Sequence, residues 1–280
     1  MSTPISAALV NELRQRTSRP MMECKGALVE AGGDIKQAEE ILRKKGHVAK
    51  SDRTTAEGRI AVATDPVRQF GAMVEVLCES APVAKSELFV ALAGDLAKQV
   101  AIEGEATPEE LLDHKLIGDS SKTVRDRIAD VVNVIREAMK PGRMVRMQGH
   151  LGHYVHHDGS IGVLLQVEGT NPDPQLLRDV CMHIAATKPI AVRREDVSAE
   201  RVQQEKEIAR AQIANDPKNA GKPANILDKI AEGKLKTFFA ENVLVDQPFV
   251  KDSSKTVGQL LQSAGLKVVR FVRYKVGEAQ

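Results

Sequence analysis

The chain contains the same unit twice. From Gly58, a stretch with Val62, Phe70-Gly71 and then MVEVLCE alternates as strand, turn, strand. From Gly149, a stretch with Tyr154, Ile161-Gly162 and then VLLQVEG does the same. Gly58 and Gly149 are 91 residues apart, and so are Gly71 and Gly162. Each second strand leads through a polar turn to an amphipathic helix, over residues 83–100 in the first copy and 174–186 in the second. A second match has a different spacing. The hexapeptide DSSKTV at 119–124 recurs at 252–257, 133 residues later. Each hexapeptide is expected to open a helix, capped by Asp or Ser, that runs into a strand at 144–148 or 267–276. These signals predict a duplicated α/β core with antiparallel sheets, over residues 58–148 and 149–280, within an α+β chain.

The two offsets, 133 and 91, differ by 42 residues, the size of an insertion between Lys188-Pro189 and Asp252. Two charged helical patterns fill that interval. Residues 198–214 carry Val202, Ile208, Ala209 and Ile213, and residues 224–239 carry Ile226, Leu227, Ile230 and Leu235. NDPKNAGKP breaks them apart, so an antiparallel helical hairpin is predicted at about 197–239. It is an interaction arm or a solvated excursion of the surface.

Ahead of the repeat, residues 1–46 read as a three-helix module. Ile5, Leu9, Val10 and Leu13 form one helical stripe, and Met21, Cys24, Leu28 and Ala31 a second. Pro20 suits the first turn of the second helix and Gly32-Gly33 stops it. Asp34 caps a third helix bearing Ile35, Ala38, Ile41 and Leu42. So small a bundle suits docking better than catalysis. The polar residues 47–57 form a linker.

Composition narrows the function. The formal charge of +2 on 280 residues is too close to neutral to point to nucleic acid or an anionic membrane as partner. Cys24, Cys78 and Cys181 are scattered, which suits reduced thiols in a cytosol. The first twelve residues hold an acidic group and no basic segment, so no secretory signal is expected, and no apolar run is long enough to span a membrane.

The search for chemistry yields no catalytic residue and no metal site. His150, His153, His156 and His157 cluster, but strand alternation puts His150 and His156 on one face and His153 and His157 on the other. GDSSKT at 118–123 lacks the glycine before Lys that a phosphate loop needs. Cys78 has no evident His partner, and neither a nucleophile elbow nor a dinucleotide motif is present. The basic residues of the last strand, Lys267, Arg270, Arg273 and Lys275, leave a nucleic-acid-associated scaffold as the alternative. Arg270 and Lys275 fall on opposite faces, which weakens it.

Several motifs carry a resemblance. Leu13-Arg14-x-x-Thr17 followed by Met21-Met22-Glu23-Cys24-Lys25 and Ala27-Leu28 resembles the amino-terminal signature of the bacterial elongation factor Ts family. MHIAATKP, EDVSAE, QPFV and SKTVGQLL resemble it as well, as does the order of parts. The resemblance implies a UBA-like first module and a cytoplasmic exchange factor for the GTPase elongation factor Tu. Such a factor releases GDP by disturbing the GTPase's magnesium and phosphate site. It is not an enzyme and needs no cofactor, since the magnesium belongs to the partner. A homodimer or 2:2 complex through the hairpin fits the family, with no direct contact to nucleic acid or membrane.

The family's lever loop reads Thr-Asp-Phe-Val, whereas this chain has Ser80, Ala81, Pro82 and Val83. Pro82 can serve as a small rigid wedge, or Ser80 and Pro82 can simply start the next helix. Arg14, Met21, Met22, Ile128 and His156 are the partner contacts that the resemblance implies. By periodicity alone, Ile128 is also a core residue and Arg14 also a solvated charge.

Overall fold

The computed structural model describes residues 5–17, 19–45, 54–65, 67–219 and 222–278, with 43–45 by their backbone. Of the expected linker, residues 47–53 lie outside the described residues.

Three helices come first: α1 (Ala7–Thr17), α2 (Met21–Glu30) and α3 (Ile35–Lys45). Leu13, Cys24, Leu28 and Ala38 meet in a core of their own. Gly32 and Gly33 end α2 at positive φ, and Asp34 accepts the Gln37 amide at 2.9 Å to start α3. Pro20 stands just before α2, one place earlier than expected.

The first half continues through β1 (Glu57–Asp65), β2 (Phe70–Cys78), α4 (Ala81–Ala84), α5 (Glu87–Glu103) and α6 (Pro108–Asp113). It closes with β3 (Lys115–Leu116), β4 (Asp119–Thr123), α7 (Val124–Ile135) and β5 (Met139–Gln148). The second half runs β6 (His150–Val155), β7 (Ile161–Glu168), α8 (Pro174–Thr187), α9 (Ala199–Asn215) and α10 (Ala224–Asn242). It ends with β8 (Pro248–Phe249), β9 (Asp252–Thr256), α11 (Val257–Ser263) and β10 (Lys267–Lys275). The chain is thus mixed α+β, with sheets β1-β2-β5 and β10-β7-β6, both antiparallel.

Strand alternation sorts each sheet into two faces. Ala72, Val74 and Val76 of β2 face Phe89, Leu92 and Leu96 of α5, while Val163, Leu165 and Val167 of β7 face α8. The intervening residues turn the other way, so Ile60, Met73 and Met147 of one sheet meet Leu164 and Tyr274 of the other. The order of layers is helices, sheet, sheet, helices.

The sheet-to-sheet contact is reciprocal. A Cβ on Gly162 would run into Ile60 and lie 2.9 Å from Met73 Sδ; one on Gly71 would lie 3.0 Å from Leu151 Cδ1. Ile60 and Leu151 are 91 residues apart, as the two glycines are. Each half therefore lays an apolar side chain from the matching position on the other's glycine, as in an isologous dimer interface. Arg143 Nη2 donates to Lys275 O at 2.7 Å, and Arg270 Nη2 to Arg146 O at 2.9 Å, crossing the same boundary in both directions.

Strand pairing reveals a third offset. Gly71 pairs with Met147 and Gly162 with Tyr274, so the closing strands are 127 residues apart (147 to 274), not 133. The six residues come out of the segment holding α7, 12 residues long, and α11, 7 residues long. Both closing strands carry a register shift, opposite Glu75 and beside Gln166, which are 91 residues apart.

Three sequence expectations are corrected. The helix expected at 83–100 is two helices, broken at Lys85-Ser86, where Ser86 Oγ accepts the Phe89 amide and caps α5. The strand expected at 144–148 begins at Met139, because Pro141 and Gly142 imitate a turn but sit on an edge strand, where proline is tolerated. The repeated DSSKT does not open helices by Asp or Ser capping: it forms β4 and β9. Thr123 and Thr256 are the caps, each in a capping box, with Asp126 and Gln259.

Candidate functional site

The turn after β2 is held from beneath and from the side. Cys78 lies under it, and its thiol donates to Ser80 O at 3.4 Å. Burial, reinforced by the carboxylates of Glu137, Glu57 and Glu79, pushes this thiol up to about 11. It stays protonated at neutral pH and is no nucleophile. Ser80 occupies the N-cap place of α4, yet its hydroxyl does not cap the helix. It donates instead to Glu137 Oε1 at 2.7 Å, and the Ser80 amide donates to Glu137 Oε2 at 3.1 Å. The Ala138 amide in turn donates to Glu79 Oε1 at 2.6 Å. Ala81 and Pro82 face solvent, while Val83 packs inward on the core under α5.

The second half reaches the same edge through the β6–β7 turn. Arg59 Nη1 donates to Ala84 O at 3.3 Å, and its side chain lies against Gly159 of that turn. His156 stands on the turn, with Tyr154 Oη 2.8 Å from its Nδ1 and its amide donating to Ile161 O. Because β6 stops at Val155, His156 and His157 leave the strand alternation expected for them. Their rings contact each other at 4.3 Å between centroids. Among the described residues, no three His, Cys, Asp or Glu side chains gather as a metal site.

The helical module contributes from a third side. Arg14 and Met21 line a cleft of about 650 Å³ with Asn133, Val134 and Arg136 at the end of α7. Met21 is 50% exposed and Met22 75%, an unusual amount of apolar surface for one helix start. Ile128 is different: it is 7% exposed and belongs to the first-half core, so only its edge reaches the surface.

The remaining sequence motifs are used internally. Asp119 Oδ1 accepts both the amide and the hydroxyl of Ser121, and Asp252 does the same with Ser254, which closes each DSSKT on itself. In the last strand, Arg270 donates to Arg146 O, and Arg273 to Ala185 O and Glu278, so both side chains are engaged within the molecule. Between residues 197 and 239, α9 packs on α10, and of its residues only Ala209 and Ile213 are buried. No helix among the described residues is long and apolar enough to cross a membrane.

Sequence reasoning missed Glu137, Glu79 and Arg59. Glu137 is 57 residues from Ser80, and an isolated Glu after a helix carries no local signal.

Comparison with known proteins gives a consistent result. A family model described as Elongation factor TS matches residues 82–278. Elongation factor Ts of Thioalkalivibrio sulfidiphilus is 43% identical over 282 residues, 98% of this chain and 92% of that one. Elongation factor Ts of Methylococcus capsulatus is 43% identical over 281 residues, with the same coverage. Elongation factor Ts of Clostridium botulinum is 38% identical over 289 residues, covering 98% and 93%.

Proposed function

The chain belongs to the elongation factor Ts family, and from this we propose that it is a guanine nucleotide exchange factor for elongation factor Tu in translation elongation. It binds the GDP-loaded GTPase in the cytoplasm and promotes GDP release, with no covalent step of its own and no cofactor. The physical basis is linkage: a partner that prefers the nucleotide-free state weakens nucleotide binding by the factor by which nucleotide weakens the partner.

The reading divides the surface into roles. Residues 1–46 act as a UBA-like docking module through Arg14, Met21 and Met22. The duplicated core, residues 58–148 and 149–280, offers Ser80, Ala81, Pro82 and Val83 as the lever on the GTPase's magnesium and phosphate region. His156 adds a contact from the second half. Ile128, being 7% exposed, shapes this face from within more than it touches the partner. The observation that carries the reading is the junction of the β2–α4 turn with the His156 turn through Arg59. That junction makes one partner face from two halves of the chain.

The insertion, about 197–239, serves as an arm that joins two copies in a homodimer or 2:2 complex. Its groove, about 360 Å³ and lined by Ile208, Leu235 and Phe238, supports that role. Sizing the complex before and after the arm is shortened tests it: an unchanged mass removes the arm from assembly.

The central test is release of fluorescent GDP from elongation factor Tu. Nanomolar to micromolar protein is expected to accelerate release, and a flat response over that range rejects the proposal. Replacing Ala81-Pro82 by Asp-Phe is expected to keep binding and to raise the maximal release rate. A large loss of binding would show that this turn is not the lever.

A further inference from the structure

We propose that Glu137 is a positioning residue for nucleotide exchange: it makes the turn bearing Ala81 and Pro82 stiff enough to act as a lever. The inference rests on the reading of that turn given above. Ala81 and Pro82 are small, so they displace little of a partner's structure by bulk. A small lever transmits force only if its base does not yield.

The base is built accordingly. Both oxygens of Glu137 are engaged by one residue, Ser80, through its hydroxyl at 2.7 Å and its amide at 3.1 Å. Hydrogen bonds to a carboxylate are about twice as strong as neutral ones, and the two-point geometry fixes orientation as well as distance. The bond is answered in reverse, since Glu79 accepts the Ala138 amide at 2.6 Å. Two adjacent residues of the β2–α4 turn are therefore cross-tied to two adjacent residues of the α7–β5 link. Pro82 removes φ freedom in the α4 turn of helix that follows, and Arg59 holds the end of α4 at Ala84 O.

Position adds a second consequence. Glu137 directly follows Arg136, which has a left-handed φ of 70° and lines the cleft shared with Arg14 and Met21. The α7–β5 link thus touches the docking cleft on one side and the lever on the other. Stiffness there couples where the partner is gripped to where it is pushed.

The experiment measures the maximal rate of fluorescent GDP release and the half-saturating concentration, using full-length protein and elongation factor Tu. Glu137→Ala is expected to lower the maximal rate about tenfold while changing the half-saturating concentration less than about twofold, as for an interaction used mainly in the transition to release. Glu137→Gln, whose oxygen can accept the Ser80 amide while its NH2 donates to Ser80 Oγ, is expected to recover most of the rate. Equal rates for Glu137→Ala and wild type overturn the proposal. So does a parallel change in rate and half-saturation that Gln does not rescue, since that marks a general structural role. If Glu137→Ala does not fold, Ser80→Ala cuts the hydroxyl bond from the other side, and an undiminished maximal rate there overturns the proposal instead. A Pro82→Gly variant separates the two levels. If it leaves release unchanged, the lever reading itself fails; if it slows release while Glu137→Ala does not, only the positioning role fails.

Discussion

The two halves share a frame and differ where the chain turns from strand to helix. In the first half, residues 80–83 are the N-cap and first three residues of the short helix α4, tied to Glu137 through Ser80, and α5 starts afresh at a new cap. In the second half the matching residues are Asn171, Pro172, Asp173 and Pro174. There Asp173 caps α8 directly, accepting the Gln175 amide at 3.0 Å, and the helix runs unbroken. The turn opens onto a cavity of about 420 Å³ lined by Phe70, Leu151 and Pro172. The link from α11 to β10 is Ala264-Gly265-Leu266, with no acid to reach across. The separate α4 and the longer α7 segment thus accompany a braced turn in the first half, where the second has an ordinary helix cap.

A second difference lies in the charges at the shared boundary. Glu75 is buried and forms a bidentate pair with Arg143, at 2.8 and 2.9 Å, while Arg143 also stacks on Tyr274. The matching residue in the second half is Gln166, whose amide donates to Gln148 O. The first half thus anchors its closing strand with a buried ion pair, whereas the neutral amide at the matching place bonds across to the end of β5.

The reciprocal contact between the sheets can be broken from either side, and the two sides are not equally strong. Gly162→Ala is expected to destabilise the protein most, by about 3 kcal/mol, because its Cβ meets the fully buried, β-branched Ile60 and Met73, which have nowhere to go. Chemical denaturation measures this, and a change under about 1 kcal/mol would show that the halves can slide apart at no cost.

Acid sharpens the comparison next. His183 is fully buried in α8, donating from Nε2 to Gln247 Oε1 and accepting the Val250 amide at Nδ1. Burial holds its pKa below the ordinary 6.5, with the Gln247 bond opposing. The folded state therefore binds this proton less readily than the unfolded chain. Its contribution is complete above about pH 6.5 and is lost as pH falls below that value, at up to about 1.4 kcal/mol per unit. The matching residue in the first half is Leu92, also fully buried. His183→Leu is expected to flatten the acid limb of the stability profile; an unchanged slope would assign that limb to other groups.

Gly71→Ala should cost the least, about 1–2 kcal/mol, since its Cβ comes no closer than 2.9 Å to Thr64 Cγ2, 3.0 Å to the end of the Leu151 side chain and 3.1 Å to Ala63 O. A cost equal to that of Gly162→Ala would make the contact symmetric in energy as well as in geometry.

The sequence made the two strand–turn–strand units and the three opening helices legible, because glycine spacing, apolar periodicity and the Gly32-Gly33 and Asp34 signals are all local. It misled where a local signal served another purpose. Pro141 and Gly142 imitate a turn inside β5, and Asp119 and Asp252 imitate helix caps while closing turns of their own. The third offset, 127 residues, lay hidden because β5 and β10 share a register and not a motif.

By itself, then, the sequence pointed to a mixed α+β chain that opens with helices and to the elongation factor Ts family, to which the chain belongs. Tertiary structure alone decided that Ile60 and Leu151 would lie on each other's glycines, that Arg59 would join the His156 turn to α4, and that Glu137 would brace Ser80. The physical reason is range. Periodicity, caps and breakers act within a few residues, whereas a carboxylate 57 residues away becomes a partner only when sheet pairing and helix packing have fixed where both ends stand.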